Sequence, residues 1–397
     1  MMTGEPVNIL GMSREELRSF AVELGERPYR GDQVYQWLYA RGATGFDVMT
    51  DCGRAFRETL HARARIAGVV HVKNQLSPAD GTTKFLFALS DGLQIESVLI
   101  PPSSAFEGDD PGDDEPRSSR ERLTLCVSTQ VGCPLDCAFC ATGTMGYLRN
   151  LTSGEIIDQV LTVRRLTGRT ITNVVFMGMG EPMLNYDSVM RAGMLMTDGA
   201  GIAARRITIS TAGWSDGIRR MADDGTRMKL AVSLHSAVPA TREALMPVTR
   251  RFPLDGLREA LQYYYTRTRV RVTYEYIFFD GVNDTPLEVR RLIAFARAIP
   301  CKLNVIPYHA IDFAGPEGIG ASLRPSPRMH EIVEELRRAN LTVIVRSSAG
   351  EDIAAACGQL AVQGLRRSRS GRNAQGSPEA EHGPRSIVTQ HRNDRRP

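Results

Sequence analysis

The sequence has no long apolar run and no pattern of paired cysteines. No stretch of the 397 residues approaches the length of a membrane span. The first eight residues do not form the basic and then apolar segment of a secretory signal. The seven cysteines are odd in number and three of them lie within eight positions, unlike a secreted disulfide framework. These absences predict a cytoplasmic protein that makes no contact with a membrane.

Excess positive charge is also scarce outside one end of the chain. The formal net charge is +4, but residues 366–397 hold eight Arg against three acidic residues, so the rest sums to about −1. Overall charge is therefore a weak argument for nucleic-acid binding. Residues 364–397, biased toward Arg, Ser, Gly and Pro, are expected to be a disordered basic tail. No internal repeat is evident.

With 42% hydrophobic residues, the chain can bury a large core beside a smaller domain. We expect an N-terminal helical accessory domain over residues 1–68, with a capping box at Ser13 and Glu16. A second helix there carries Tyr35 and Tyr39, which we interpret as core residues in preference to base-stacking ones. Residues 69–101 predict a small strand-rich connector with turns at Asp80-Gly81 and Asp91-Gly92, and residues 102–120 a flexible acidic loop.

From residue 121 to residue 363, short β-branched runs alternate with amphipathic stretches. This alternation predicts an α/β fold built as a parallel barrel or part of one. The candidate strands are Leu123–Ser128, Asn173–Met177, Arg206–Ser210, Lys229–Leu234, Arg269–Phe278, Lys302–Ile306 and Leu341–Val345. The helices between them include Ser153–Leu166, Asp255–Tyr265, Pro286–Ala298 and Ser326–Asn340.

Three cysteines, Cys133, Cys137 and Cys140, follow the spacing C-x3-C-x2-C. This differs from the two CxxC pairs of a zinc ribbon and from the four-cysteine ferredoxin run. A structural zinc site needs a fourth ligand, and the nearest downstream histidine, His235, lies 95 residues after Cys140. Three thiolates suit an iron-sulfur cluster with one open iron. We favour that cluster over zinc, a disulfide or chance clustering.

Polar residues cluster where the candidate strands end, which is where parallel barrels gather their functional groups. Met177–Pro182 is a Gly-rich turn with Glu181, whose backbone can approach a ligand closely. Ser210–Gly213 and Ser233–His235 end the next two strands. Each of these groups alone is more often a helix cap or a core polar residue, but together they favour a ligand site.

The cysteine triplet resembles the signature of radical S-adenosylmethionine (SAM) enzymes. Further segments narrow the resemblance to the RlmN/Cfr family of RNA adenine methyltransferases over residues 12–363, apart from the acidic loop. They are Leu125–Gln130, Gly132-Cys133, Gly178–Pro182, Ser233–His235, Arg346 and Ala356–Leu360. The chain departs from the family pattern at Met179 and at His309, where the family usually has Asn, and we do not transfer that contact.

The resemblance implies a radical SAM partial (βα)6-type barrel with a small N-terminal helical RNA-contacting domain. It implies a 4Fe-4S cluster on Cys133, Cys137 and Cys140. It also implies SAM binding by Gly180, Glu181, Ser210, Ser233, Leu234 and His235.

For the reaction, the resemblance implies methylation of adenine C2 through a methylated Cys357. Glu96 then accepts a proton, and Cys126 releases the RNA by forming a transient disulfide with Cys357. The implied substrates are an adenosine in the peptidyl-transferase centre of 23S rRNA and the adenosine 3′ of the anticodon in tRNAs. A reducing partner such as flavodoxin or ferredoxin and a monomeric state are also expected.

Two alternatives remain open. A Cfr-type enzyme methylates C8 of the same rRNA adenosine with nearly the same residues. A non-catalytic iron-sulfur RNA-binding protein would neither cleave SAM nor need Cys357.

Overall fold

A computed structural model describes residues 5–102, 122–309, 318–346 and 349–362. The expected basic tail and nearly all of the expected acidic loop lie outside these residues. The described strands are β1 (Val7–Asn8), β2 (Ala64–Arg65), β3 (Val70–Leu76), β4 (Thr83–Ala88), β5 (Gln94–Ile100), β6 (Thr124–Cys126), β7 (Gln130–Gly132), β8 (Tyr147–Asn150), β9 (Asn173–Phe176), β10 (Ile207–Thr211), β11 (Lys229–Ser233), β12 (Val272–Tyr276), β13 (Cys301–Val305) and β14 (Val343–Val345). The described α-helices are α1 (Arg14–Glu23), α2 (Tyr29–Tyr35), α3 (Arg54–Arg63), α4 (Ala141–Thr144), α5 (Ser153–Thr167), α6 (Tyr186–Asp198), α7 (Ser215–Asp223), α8 (Pro239–Leu245), α9 (Leu254–Thr268), α10 (Pro286–Ala296) and α11 (Met329–Arg338). None of these helices is both long and apolar enough to cross a membrane.

A ten-stranded sheet dominates the fold, in the order β14-β13-β12-β11-β10-β9-β6-β5-β4-β3. The strands from β14 to β6 are parallel, and helices cross over between them. Their strand interiors are almost wholly apolar because helices cover the sheet. Since β14 and β3 are the two edges of the sheet, the barrel is partial, as the resemblance implied.

The seven parallel strands coincide with the seven candidate strands to within a few residues. The largest difference is β12, which was expected over Arg269–Phe278. Arg269 ends α9 in a left-handed conformation with φ +60°, so the strand begins later. Beyond Tyr276 the chain leaves the ladder, and the Ile277 N–H binds His235.

The expected connector is part of the same sheet as the barrel. Its strands β3, β4 and β5 are antiparallel, and β5 pairs with β6 so that Val98 faces Cys126. Gly81 and Gly92 have positive φ in the two turns, as the Asp-Gly pairs predicted.

The N-terminal region is helical, as expected. Both hydrogen bonds of the capping box between Ser13 and Glu16 are present at the start of α1. Tyr35 and Tyr39 are buried, which confirms that they are core residues. The region packs closely on α5, where a Cβ on Gly154 would lie 2.4 Å from the Leu10 carbonyl oxygen. Only glycine permits this approach.

Candidate active site

One cavity opens at the carboxyl ends of strands β9 to β13. The three motif cysteines line it from one side. Five of the six residues expected to bind SAM line it from the strand ends: Gly180, Glu181, Ser210, Ser233 and His235. Cys357 and Gly358 complete its wall. The structure therefore gathers residues from the cysteine motif, three strand ends and the C-terminal loop at one place.

The cysteine loop is held at both ends by the β7–β8 hairpin. Gly132 has φ +76°, and a Cβ there would lie 1.8 Å from the Gly146 carbonyl oxygen, so the position requires glycine. The Cys133 N–H donates to that carbonyl at 2.9 Å. In the middle of the loop the Ala138 N–H donates to the Leu245 carbonyl at the end of α8, at 2.9 Å. These contacts fix the loop against the cavity.

The donor set fits a 4Fe-4S cluster. Burial raises the pKa of Cys133 and Cys137, and repulsion from Cys140 adds to the rise. Three thiolates at this place therefore need a metal to balance their charge. In the described residues no three His, Cys, Asp or Glu side chains surround a single ion. A cubic cluster does not require that, because each thiolate binds a different iron, and three ligands leave the fourth iron open.

Behind the cavity lies Arg242, a completely buried side chain. Its guanidinium donates to the carbonyls of Ala212, Ser233 and Leu234 at 2.6, 3.1 and 3.1 Å. Its fourth bond goes to the Thr249 hydroxyl at 2.7 Å. No carboxylate of the described residues pairs with it, and its positive charge opposes the rise in the pKa of Cys137. The unpaired guanidinium therefore adds positive charge beside the cysteine loop.

Glu181 is fixed by the turn after β9. One carboxylate oxygen accepts the Met183 N–H at 3.0 Å and the other accepts the Ala212 N–H at 2.8 Å. Burial raises its pKa, and these two hydrogen bonds oppose the rise. A carboxylate oxygen has more than one lone pair, so each can still accept a bond from a ligand ammonium in the cavity.

His235 follows β11 with φ +52° and is buried. Its Nδ1 accepts the Ile277 N–H at 3.1 Å. Burial, with the nearby Arg242 charge, lowers the pKa of His235 to about 3, so the ring is neutral near pH 7. A neutral ring that accepts at Nδ1 carries its proton on Nε2, which makes His235 a hydrogen-bond donor from that atom.

Leu234 is the one expected SAM-binding residue that does not line the cavity. Its side chain is fully buried in the core. Its N–H donates to the Glu275 carbonyl at 3.0 Å, and its own carbonyl accepts from Arg242. Leu234 therefore shapes the strand end.

The sequence reasoning missed Glu275, which also lines the cavity. It is buried on β12 beside Ser233, and one of its oxygens accepts the Asn304 amide at 3.0 Å. Its other oxygen is buried without a hydrogen-bond partner. The available signal was a carboxylate near the end of an otherwise uncharged strand, Val272–Tyr276.

Cys357 lies on the C-terminal loop, which packs on the cysteine loop. The Ala141 N–H donates to the Gly358 carbonyl at 2.7 Å, and the Thr142 hydroxyl donates to the Leu360 carbonyl at 2.7 Å. The Cys357 thiol is exposed, in a recess where desolvation raises its pKa and a hydrogen bond from Arg346 opposes the rise. This loop thus presents its thiol to the cavity.

Cys126 is buried on β6 and does not line the cavity. Burial, and then the neighbouring Cys357, raises the pKa of Cys126 to about 12, while Arg346 lowers it. The influence of Cys357 and Arg346 on this pKa places Cys126 close to the C-terminal loop. All seven cysteines are free thiols in the structure.

Glu96 is buried on β5, outside the cavity lining but against the same C-terminal loop. One of its oxygens accepts the Ala361 N–H at 3.1 Å, and the other lies 3.5 Å from the Lys84 ammonium. Four residues separate Ala361 from Cys357. His309, by contrast, pairs with Glu351 at 2.8 Å and does not line the cavity.

Two family models match the chain. The model described as the ribosomal RNA large subunit methyltransferase N-terminal domain matches residues 7–66, and the radical SAM superfamily model matches residues 127–293. Both matches lie where the sequence predicted a helical accessory domain and a barrel.

Full-length relatives are also similar. The probable dual-specificity RNA methyltransferase RlmN of Flavobacterium psychrophilum is 42% identical over 368 residues, covering 90% of this chain and 98% of that protein. The dual-specificity RNA methyltransferase RlmN of Anaeromyxobacter dehalogenans is 42% identical over 368 residues, covering 90% and 92%. The crystal structure of a radical SAM methyltransferase from Sphaerobacter thermophilus matches with a TM-score of 0.78 and 38% identity, covering 89% of this chain and 99% of that one.

Proposed function

Because this chain belongs to the RlmN family of radical SAM methyltransferases, we propose that it methylates adenine C2 in RNA through a methylated Cys357. The substrates are an adenosine of the peptidyl-transferase centre of 23S rRNA and the adenosine 3′ of the anticodon in tRNAs. The observation that carries the proposal is the position of Cys357, in the wall of the cavity that also holds the cysteine motif and the strand-end residues.

In the first half of the reaction, the Cys357 sulfur accepts a methyl group from one SAM molecule. The new S–C bond forms as the sulfonium C–S bond breaks, and S-adenosylhomocysteine leaves. When bound, the cluster supplies the electron that cleaves a second SAM to a 5′-deoxyadenosyl radical, which removes a hydrogen atom from the methylated Cys357. Glu181 and His235 orient SAM in the cavity by accepting from its ammonium and donating from Nε2.

In the second half, the methylene radical on Cys357 adds to adenine C2 and forms a thioether between protein and RNA. After one-electron oxidation of this adduct, Glu96 accepts the C2 proton. Cys126 then attacks the Cys357 sulfur, and the C–S electron pair moves to the methylene carbon, which takes a proton and becomes the methyl group. The disulfide that remains is reduced before the next cycle.

The Cys126→Ala variant tests this order of events. It should accumulate RNA bound covalently to Cys357, seen as a shifted band on a denaturing gel with labelled RNA. Cys357→Ala should form no adduct. Cys301→Ala is the matched control, since it removes another largely buried free thiol that lies away from the cavity. A Cys126→Ala protein without a shifted band under turnover conditions contradicts the methyl-carrier mechanism.

Two measurements separate this function from its alternatives. Mass spectrometry of the methylated nucleoside distinguishes C2 from the C8 product of a Cfr-type enzyme. Anaerobic incubation with SAM and dithionite should yield 5′-deoxyadenosine, whereas a non-catalytic RNA-binding protein would yield none. We further propose a monomer in the cytoplasm that takes electrons from a flavodoxin or ferredoxin. In this proposal residues 1–68 contact RNA and residues 121–363 bind SAM.

A further inference from the structure

Two neighbouring side chains of the antiparallel strands grip the C-terminal loop on both sides of Cys357. Lys84 on β4 donates from Nζ to the Ala354 carbonyl at 3.1 Å, before Cys357 in the chain. Glu96 on β5 accepts the Ala361 N–H at 3.1 Å, after it. The two side chains lie 3.5 Å apart and are only 15% and 8% exposed. Together they form a bridge that spans the loop.

A second pair of contacts holds the same loop without touching Glu96. The Ser77 hydroxyl donates to the Asp352 carboxylate at 3.0 Å, and the Gly350 N–H donates to the Asp80 carboxylate at 2.8 Å. The loop is therefore tethered at four points to the hairpin strands. Lys84 is the tether that also meets Glu96.

Lys84 also controls the charge on Glu96. Burial raises the pKa of Glu96, and the Lys84 ammonium opposes this most strongly, followed by the Ala361 N–H; the more distant Lys73 on β3 acts in the same direction. On the other side, β6 presents Cys126, whose raised pKa of about 12 leaves it uncharged near pH 7. A proton acceptor has to be ionised before it acts.

We propose that Lys84 is a positioning residue for the reaction, holding the ionised Glu96 carboxylate against the loop that carries Cys357. The proposal rests on the proposed function of Glu96 as the acceptor of the C2 proton. A lysine suits both tasks, because its compact ammonium donates several hydrogen bonds while carrying a full charge.

The test follows decay of the protein–RNA adduct against pH, by rapid quenching and denaturing gels, in the full-length reconstituted enzyme. In Lys84→Met the acid limb of the decay rate should move to higher pH by about one unit or more, the size of shift that a nearby opposite charge produces. Decay at pH 7 should then slow by at least about fivefold and recover toward pH 9. Lys84→Arg should keep the limb close to its wild-type position.

Ser77→Ala is the matched control, since it removes a tether of the same loop but leaves the charge beside Glu96. It should change the rate by a similar factor at every pH and leave the limb in place. If Lys84→Met does not fold, Lys84→Gln takes its place, because its amide can still donate to the Ala354 carbonyl without carrying charge.

The outcomes separate the two proposals. Adduct that persists in Glu96→Gln, with an unmoved acid limb in Lys84→Met or Lys84→Gln, overturns the role of Lys84 alone. Adduct that decays normally in Glu96→Gln overturns the role of Glu96 and that of Lys84 with it. A limb that moves equally in Ser77→Ala also overturns the proposal, because loop tethering would then explain the shift.

Discussion

Replacing Gly180 with alanine should damage both the stability of the protein and its affinity for SAM. Gly180 has φ +103°, and a Cβ there would lie 2.6 Å from the Gln130 Cβ and 2.8 Å from the Gln130 backbone nitrogen. A backbone contact of this kind cannot be relieved by rotating a flexible side chain. The change therefore forces β7 and the turn after β9 apart.

The expected cost can be summed from these contacts. A non-glycine residue at positive φ costs about 1–2 kcal/mol. Displacing Gln130 breaks its bonds to the Glu181 N–H, at 2.9 Å, and to Asn150, at 2.8 Å. At about 1 kcal/mol for each bond, the total destabilisation is about 3–4 kcal/mol. Because Glu181 moves with its N–H, SAM affinity should fall at least about tenfold, equivalent to 1.4 kcal/mol.

Gly201→Ala is the matched control. Gly201 also has positive φ, +72°, but a Cβ there would have no neighbour within 4 Å. It should cost only the backbone strain of about 1–2 kcal/mol and leave SAM binding unchanged. Urea denaturation and equilibrium dialysis with labelled SAM measure the two quantities. Equal losses of stability in the two variants would refute the argument that the Gly180 turn requires this close approach.

Two further predictions concern charge. Arg242→Met should lower the reduction potential of the cluster, measured by potentiometric titration with electron paramagnetic resonance, because it removes a buried positive charge that favours the more negative reduced cluster; an unchanged potential would limit Arg242 to binding strand-end carbonyls. Removing residues 366–397 should weaken RNA binding and make it less dependent on salt, since eight arginines are lost, while turnover on saturating RNA continues. Loss of that turnover would place the segment in the active site.

Features that depend on neighbouring residues were predictable from the sequence. The Ser13 capping box, the two Asp-Gly turns and the parallel strands all follow from local composition and hydrophobic period. Strand ends were less certain, as β12 shows. There the limits are set by a left-handed helix end and by a bond to His235 on the preceding crossover.

Features that depend on tertiary contacts were not predictable in the same way. Arg242 lies in an ordinary amphipathic helix, and nothing local shows that its side chain turns inward to three strand-end carbonyls. Cys126 and Cys357 lie 231 residues apart with no spacing that connects them. Only the family resemblance linked the two cysteines, and their relation within the fold arises from the sheet and the C-terminal loop.

The continuity of the sheet explains why the proposed acceptor and the proposed resolving thiol lie together. If residues 69–101 formed only a flexible connector, Glu96 would have no fixed relation to the barrel. Instead β5 pairs directly with β6, Val98 opposite Cys126, so that Glu96 lies two residues along the same ladder. The C-terminal loop then meets this ladder through Ala361 and meets the cysteine loop through Gly358. Cys357, between those two contacts, is therefore positioned to face SAM in the cavity and, on its other side, the two groups that complete the reaction.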